Sequence, residues 1–173
     1  MLIDSFLPEY DFSETHDIKI RAEAAHVFHA LNEVDFCESA TVRWLFRLRG
    51  LPTEKTTLRE MQKMRFETLG EKENQEILIG LAGRFWTLMG DLKEVNSNNF
   101  REFNEKGFAK AVCNFSIDVS GGETRLTTET RIKCLDAESR RSFRFYWAFI
   151  QPFSGLIRKE MLKTIKKKAE SGK

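Results

Sequence analysis

A period-two pattern of apolar and polar residues predicts a β-strand near the start of the chain, in the stretch YDFSETHDIKI. The residues on one face of this strand are mostly apolar; they are Tyr10, Phe12, Glu14, His16, Ile18 and Ile20. Since the apolar face of a strand packs on the core, Glu14 and His16 are predicted to point inward. Two ionisable side chains on an inner face are unusual, because burial disfavours the charged form of each.

Helical spacing of apolar residues follows this strand in three short segments, EAAHVFHALNEV, SATVRWLFRLRG and TLREMQKM. The second segment has Ser39 as its predicted N-cap, and Gly50 and Pro52 are predicted to end it. In the third segment, Thr57 and Glu60 have the spacing of a capping box. The sequence therefore predicts three short helices after the first strand.

The stretch RFETLGEKENQEILIGLAG is typical of two strands joined by a polar turn at residues 72–74. Segment 84–107 mixes extended and turn signals, and its pattern fixes no structure.

A glycine pair predicts a β-hairpin within FAKAVCNFSIDVSGGETRLTTETRIKC. If Gly121-Gly122 forms a two-residue turn, Asp118 faces Arg125, which is a favourable pairing of opposite charges. The same register places Lys110 opposite Lys133, and this pairing of like charges is a mild objection to the predicted register. One face of the hairpin is largely apolar and includes Cys113, Phe115, Thr128 and Thr130. Glu129 and Arg131 lie on the other face, which we expect to be exposed to solvent.

A long helix is predicted from about Ala137 to Ala169, with Asp136 as its cap. One apolar stripe recurs at steps of three and four residues and should lie on the sheet; it comprises Phe143, Tyr146, Trp147, Ile150, Phe153, Ile157 and Met161. Pro152 lacks an N–H for the carbonyl of Ala148, so a kink is expected near residues 149–151, which Ser154-Gly155 would ease further.

A second apolar stripe lies nearly opposite the first on the same helix and comprises Phe145, Phe149 and Leu156. A helix that is apolar on both sides needs two partners. We expect Phe149 and Leu156 to pack either on the small helices around Trp44 and Leu48 or on a second subunit, so a homodimer is one of two alternatives.

Composition places the chain among single globular domains, with 173 residues, 41% hydrophobic and 31% charged, so one domain is predicted over residues 1–173. No segment reaches the roughly 20 apolar residues of a membrane-spanning helix, and the first residues lack the order of a signal peptide. A cytoplasmic location is therefore expected.

Cys37, Cys113 and Cys134 are widely spaced, which is typical of reduced, buried thiols. His26 and His29 lack a third ligand, so no metal site is predicted.

The charge of the chain is +2 overall, but it is unevenly distributed. Residues 139–173 hold ten basic and two acidic residues. Such a helix end could contact nucleic acid or anionic lipid. Cations also stabilise the C-terminal end of a helix, and this simpler role is favoured, so no nucleic-acid partner is expected.

The order of elements predicts an α+β fold in which a long helix lies across a curved antiparallel sheet. With YDFSETHDIKI, LIGLAGRFW, AKAVCNFSI and RLTTETRIKCLDAESRRSFRFYWAFIQPFSGLIRKEML, the chain resembles the START-like, helix-grip superfamily, also called SRPBCC, which includes polyketide cyclase/dehydrase-like proteins. More narrowly, these stretches resemble a bacterial branch of unassigned function. The resemblance covers essentially the whole chain. It implies a hydrophobic cavity between sheet and helix in which many members bind lipids, sterols or polyketides. It transfers no catalytic residue, because the superfamily shares no catalytic motif.

The residue pattern independently indicates a site in the same place. The inward-facing candidates for ligand binding are His16, Cys113, Phe115, Thr128, Thr130, Phe143, Trp147 and Ile150, with Phe85 and Trp86 closing one end. Apolar walls with a few convergent polar groups are typical of small-molecule sites. We therefore expect binding of an apolar or amphipathic molecule for transport, sequestration or sensing, without a cofactor.

His16 is the candidate for chemistry, with Glu14 beside it to raise the basicity of the imidazole. It is either a core histidine, a ligand contact, or the acid or base of a cyclase- or hydratase-like enzyme. No GxSxG, P-loop, GxGxxG or HExxH motif occurs in the chain. A third alternative is an interaction module that uses the basic end of the last helix.

Overall fold

The computed structural model describes residues 1–48, 53–54, 56–61, 65–87 and 90–172. The helices are α1 (Leu2–Phe6), α2 (Ala24–Glu33), α3 (Ala40–Leu48) and α4 (Ala137–Ser171), with a short 3-10 helix at Phe36–Glu38. The strands are β1 (Phe12–Ile20), β2 (Glu67–Lys72), β3 (Glu76–Gly83), β4 (Leu92–Lys93), β5 (Ala109–Ser120) and β6 (Glu123–Cys134). The predicted α+β class, with an antiparallel sheet and a long C-terminal helix, is confirmed.

Within the described residues, the six strands form one antiparallel sheet in the order β1-β6-β5-β3-β2, and β4 pairs with β3. The predicted hairpin register is confirmed, with Asp118 opposite Arg125 and Lys110 opposite Lys133. The two lysines avoid each other by turning to different acceptors. Lys110 Nζ donates to the carbonyl of Arg101 at 3.0 Å, and Lys133 Nζ lies 3.4 Å from a carboxylate oxygen of Glu9. Burial, with a smaller contribution from Lys133, lowers the pKa of Lys110.

Helix α4 begins at a capping box, as predicted. The Asp136 carboxylate accepts the Ser139 N–H at 2.7 Å and also the N–H of Gly107. These backbone donors lower the pKa of Asp136, because they stabilise its charged form. Pro152 lies inside α4, which continues through it, and the kink stays a prediction.

The inner face of the sheet, which we define as the face toward α4, packs on α2, α3 and the second half of α4. From α4 the contacts are made by Ile157, Met161, Leu162 and Ile165. Each such fully buried side chain stabilises the fold by about 1.5–3 kcal/mol.

The outer face of the sheet is covered as well, by α1 and the loop that contains Val95 and Phe100. Our expectation that Glu129 and Arg131 face solvent was therefore wrong. Arg131 is only 9% exposed, and its guanidinium contacts Glu129 at 2.6 Å and Asp4 at 2.9 Å. The physical reason is that the first residues of the chain fold across this face and bring Asp4 to Arg131.

Of the two partners predicted for the second apolar stripe of α4, the structure contradicts the first, the small helices, for Phe149. Phe149 is 72% exposed and Trp44 is 61% exposed, so Phe149 is not buried against α3. Leu156 is 43% exposed, while the side chain of Leu48 lies outside the described residues. The alternative partner, a second subunit, stays a prediction.

Two further predictions lie partly outside the described residues. The end of the second short helix at Gly50 and Pro52 lies outside them. Of the third short helix, the described residues 58–61 form a turn, and residues 62–64 lie outside. Within segment 84–107, which the sequence left open, the structure shows β4 and a series of turns.

Candidate functional site

Strand β1 presents Glu14 and His16 to the inner face, as the strand periodicity predicts. His16 Nε2 lies 3.0 Å from Glu14 Oε1. The side chains of His16 and Glu14 are 18% and 9% exposed, respectively. The two side chains therefore form a direct, mostly buried pair to which solvent has limited access through His16.

Gly155 of α4 covers this pair. A Cβ atom added at Gly155 would lie 2.6 Å from Glu14 Oε1 and 3.3 Å from His16 Nε2. A side chain at this position would therefore have to displace the Glu14 carboxylate. The sequence suggested that Gly155 eases a bend in the helix; the structure gives the residue a second role, because it lets the helix backbone approach the His16–Glu14 pair closely.

One oxygen of Glu14, Oε2, is buried and has no hydrogen-bond partner among the described residues. A buried carboxylate oxygen without a donor costs free energy, so it requires an explanation in a folded protein. The residues opposite the pair on β6 carry hydroxyl groups: Thr130 pairs with Glu14 and Thr128 with His16. The Thr128 hydroxyl is already engaged with Cys113 Sγ at 3.4 Å.

An aromatic cluster lies on the same face of the sheet and brings together four of the predicted site residues, Phe85, Trp86, Phe143 and Trp147. Phe143 is its centre. Its ring centroid lies 5.1–5.8 Å from those of five other rings, namely Phe12, Phe85, Trp86, Tyr146 and Trp147. Since Phe12 belongs to β1, as Glu14 does, the cluster adjoins the polar pair along the strand.

The predicted ligand-binding residues differ in how accessible they are. Four of them are enclosed by protein atoms, namely Phe115 (0% exposed), Thr128 (1%), Phe143 (1%) and Cys113 (4%). Phe115, for example, stacks on Phe36 with ring centroids 6.4 Å apart. These residues can meet a ligand only if their neighbours move. The partly exposed ones are His16, Phe85, Trp86, Thr130, Trp147 and Ile150.

A large cleft lined by described residues lies elsewhere, between α2 and the turn that joins β2 to β3. Its volume is about 1190 Å³, and its walls include Glu33, Glu71, Glu73 and Lys168. It contains none of the predicted site residues. Its charged walls suit an apolar ligand poorly, so we do not place the site there.

The three cysteines are buried and unpaired. Burial, together with the nearby Asp11 carboxylate, raises the pKa of Cys134 to about 12. This thiol therefore stays protonated and unreactive at neutral pH.

The basic end of α4 is partly neutralised by acidic residues. Lys163 lies 2.7 Å from Glu160, Lys166 lies 3.8 Å from Glu170, and Lys168 lies 3.4 Å from Glu33; each distance joins the Nζ atom to a carboxylate oxygen. These pairs weaken the case for an interaction module at this end of the helix. No helix among the described residues is long and apolar enough to cross a bilayer.

Comparison with solved structures finds a crystal structure of TTHA0849 from Thermus thermophilus. It aligns with 93% of this chain and 99% of its own chain, at 8% sequence identity and a TM-score of 0.39. No protein-family model and no curated protein matches the chain. A likeness at this level supports no argument about function, which therefore has to rest on the residues of the chain itself.

Proposed function

We propose that this protein binds an apolar or amphipathic small molecule between the inner face of the sheet and α4, on a helix-grip scaffold of the START-like type. One observation carries the proposal: Glu14 has a buried oxygen, beside the partly exposed His16, that no described residue partners. The aromatic cluster around Phe143 adjoins this pair and supplies an apolar wall. Convergent polar groups within an apolar surface are what small-molecule sites have in common. The three free thiols suit a reducing compartment, so we propose that binding occurs in the cytoplasm.

The chemistry of the pair narrows the class of ligand. Glu14 Oε2 has no donor among the residues that the structure describes, so the ligand that fits best carries a hydroxyl or an amine that can donate a hydrogen bond to it. A ligand carboxylate at this position would be repelled by Glu14. The apolar part of the ligand would lie against Trp147 and Ile150, which are both partly exposed on α4. An amphipathic alcohol or amine therefore meets both requirements.

Binding can be tested with 1-dodecanol and dodecanoate, which share a chain and differ in the head group. We expect 1-dodecanol to raise the melting temperature and to appear in native mass spectra, and dodecanoate to bind more weakly. Ligand at a hundredfold excess over Kd stabilises the folded state by about 2.7 kcal/mol.

The matched variants for this test are Glu14→Gln and Asp17→Asn, because Asp17 lies on the opposite face of the same strand, where it is exposed and pairs with Arg125. Glu14→Gln should reduce the preference for the alcohol, and Asp17→Asn should not. If neither probe nor a wider panel of sterols and polyketides binds, the proposed function is wrong. If alcohol and carboxylate bind equally well, binding stands but the assignment of a donor ligand fails.

A second candidate function is acid–base catalysis by His16. The contact of 3.0 Å between Glu14 and His16 Nε2 favours it, because a carboxylate so placed orients the imidazole and supports its role as a base. In a hydratase reaction, His16 would take a proton from water while the water oxygen adds to one carbon of an activated double bond. The protonated His16 would then return that proton to the adjacent carbon, so that the double bond becomes single and His16 is regenerated.

Hydration of a trans-2-enoyl thioester, followed by the loss of its conjugated absorbance, tests this second candidate. Turnover by the natural protein that disappears in His16→Ala, with 1-dodecanol affinity and melting temperature largely unchanged, would support it. Absence of turnover in the natural protein, or turnover that persists in His16→Ala, would exclude catalysis by His16. Ligand binding would then stand as the only proposed function.

A further inference from the structure

Helix α4 carries an exposed apolar line on the side that faces away from the sheet. Phe145 and Phe149 are each 72% exposed, and Leu156 is 43% exposed. Steps of four and seven residues place the three on one face of the helix, and the exposed Pro152 lies between them. We call these four residues the α4 stripe. Three large exposed apolar side chains in line on one helix exceed the scattered apolar residues of an ordinary surface.

The stripe is preorganised rather than loosely attached. The Phe149 ring lies 5.9 Å, centroid to centroid, from that of Phe153, which packs against the main core. Phe149 therefore rests on a partly buried ring while most of its own surface stays exposed.

Basic residues flank the stripe at both ends. Arg141 and Arg144 precede its centre and Lys159 follows it; all three are exposed, and none forms an ion pair with another described residue. The acidic Glu160 is paired with Lys163 at 2.7 Å. Glu138 lies in the first turn, where a carboxylate interacts favourably with the helix N-terminus. The unpaired charge beside the stripe is therefore mainly positive.

We propose that the α4 stripe docks the protein on an anionic membrane surface. Phe145, Phe149 and Leu156 would enter the boundary between head groups and acyl chains, and the flanking cations would contact lipid phosphates. An amphipathic helix with aromatic and leucine side chains on one face and Lys and Arg beside them binds membranes in this way. The helix would lie in the interface, which agrees with its being too polar to span the bilayer.

A second copy of the chain fits the stripe less well, because of charge. If two α4 helices packed antiparallel with Phe149 at the centre, Arg141 and Arg144 of one copy would approach Lys159 of the other. Like charges placed together across an interface oppose association. An anionic surface offers opposite charge to all three residues at once. The inference does not depend on the ligand site, because the stripe lies on the other side of the helix.

Co-sedimentation of the full chain with lipid vesicles tests the proposal. We expect binding to vesicles of phosphatidylcholine mixed with phosphatidylglycerol, little binding to phosphatidylcholine alone, and weaker binding as salt is added. The double variant F145S/F149S should lose at least about tenfold in vesicle affinity, and R144Q or K159Q about fivefold each. V119S is the matched control, because Val119 is 59% exposed at the end of the β5–β6 hairpin. The vesicle affinity of V119S should equal that of the natural protein. The melting temperatures of these surface variants should match that of the natural protein.

Three results would overturn the proposal. The first is no sedimentation with anionic vesicles, or equal sedimentation with both kinds. The second is a loss in V119S as large as that in F145S/F149S. The third is a dimer in light scattering that F145S/F149S converts to monomer, which would make the stripe a subunit interface. Retention of 1-dodecanol binding by F145S/F149S would show that the ligand site and the docking surface are separate.

Discussion

On the outer face of the sheet the buried carboxylate of Glu76 is surrounded by donors, whereas on the inner face one oxygen of Glu14 has no donor in the described part of the chain. Glu76 is 4% exposed and accepts the N–H of Leu2 at 2.7 Å, the N–H of Ile3 at 3.4 Å and the side-chain amide of Asn114 at 2.8 Å. Every one of these bonds comes from the chain itself. Glu76 therefore fastens the first helix to the sheet.

The same network continues across the outer face. Asn114 Oδ1 accepts the backbone N–H of Glu129 at 3.0 Å, and Glu129 in turn pairs with Arg131. Burial alone would lower the pKa of Arg131, but the hydrogen bonds from its guanidinium to Glu129 and Asp4 outweigh burial and raise it. The buried polar groups of the outer face, which stabilise the fold, thus find their hydrogen-bond partners within the chain. An unpartnered polar group, such as Glu14 Oε2, indicates a group retained for another purpose.

The largest expected effect is on the outer face. Glu76→Ala leaves the amides of Leu2, Ile3 and Asn114 without an acceptor, so it should lower the free energy of unfolding by about 3 kcal/mol. Urea unfolding of the natural protein and of Glu76→Ala measures this loss in the free energy of unfolding. Glu73→Ala, at an exposed position in the β2–β3 turn, is the control and should cost less than about 0.5 kcal/mol. A loss under about 1 kcal/mol for Glu76→Ala would remove the contrast between the two faces.

The inner face should respond in the opposite direction. Replacing both members of the pair, as Glu14→Leu with His16→Phe, should leave the free energy of unfolding unchanged or raise it by about 1–2 kcal/mol, because apolar side chains avoid the cost of a buried carboxylate. The same double variant should lose 1-dodecanol binding. A loss of more than about 2 kcal/mol in urea unfolding would mean that the pair is structural.

Asp136 anchors α4, which covers only the inner face, and its effect should depend on pH. Asp136→Ala should lower the free energy of unfolding by about 1–2 kcal/mol at neutral pH. The pKa of Asp136 is lowered in the folded state by the N–H groups of Ser139 and Gly107, so its contribution is present above the unfolded pKa near 3.9. It is lost as pH falls through the lower folded value.

Urea unfolding of the natural protein and Asp136→Ala at a series of pH values checks this dependence. The two curves should converge in acid. Asp136→Asn, which keeps one acceptor, should fall between them at neutral pH. A difference that is independent of pH would argue against the charge of Asp136 as the cause.

The smallest effect on stability is expected at Gly155. Gly155→Ala gains about 1 kcal/mol of helix propensity, which should offset the cost of moving the Glu14 carboxylate. Net stability should change by less than about 1 kcal/mol, while 1-dodecanol affinity falls. Ser154→Ala, at the preceding residue, is the control and should keep its affinity. Unchanged affinity in Gly155→Ala would show that the approach of α4 to Glu14 does not shape the site.

Short-range patterns predicted much of the inner face. The alternation in β1 predicted the direction of Glu14 and His16, because a strand turns every second side chain to the same face. Gly121-Gly122 predicted the hairpin register, which placed Thr128 and Thr130 on the same face as Cys113 and Phe115. The pairing of β1 with β6, which sets the two threonines opposite Glu14 and His16, was not predicted.

Long-range contacts were beyond the same reasoning. Helix α1 has five residues and is held by Glu76, which lies more than seventy positions further along the chain, so no local pattern reveals that it covers the outer face. This is why Glu129 and Arg131 were assigned to solvent. The contact of Gly155 with Glu14 was equally hidden, because it depends on where the last helix crosses the first strand. The solvent exposure of each site residue depends on how the helices pack on the sheet, and the sequence pattern does not predict that packing.

The crossing of β1 by α4 has a consequence for synthesis of the protein on the ribosome. The two sides of the candidate site, Glu14 with His16 and Gly155, come from the first strand and the last helix. Contacts between such distant parts of a chain form late, since the intervening loop must be closed first. While β1 through β6 have emerged from the ribosome but α4 has not, the nascent chain would still expose His16 and Glu14 to water. The candidate site is therefore complete only when α4 has been synthesised and has docked, so the proposed ligand would bind only to a chain whose sheet is already complete.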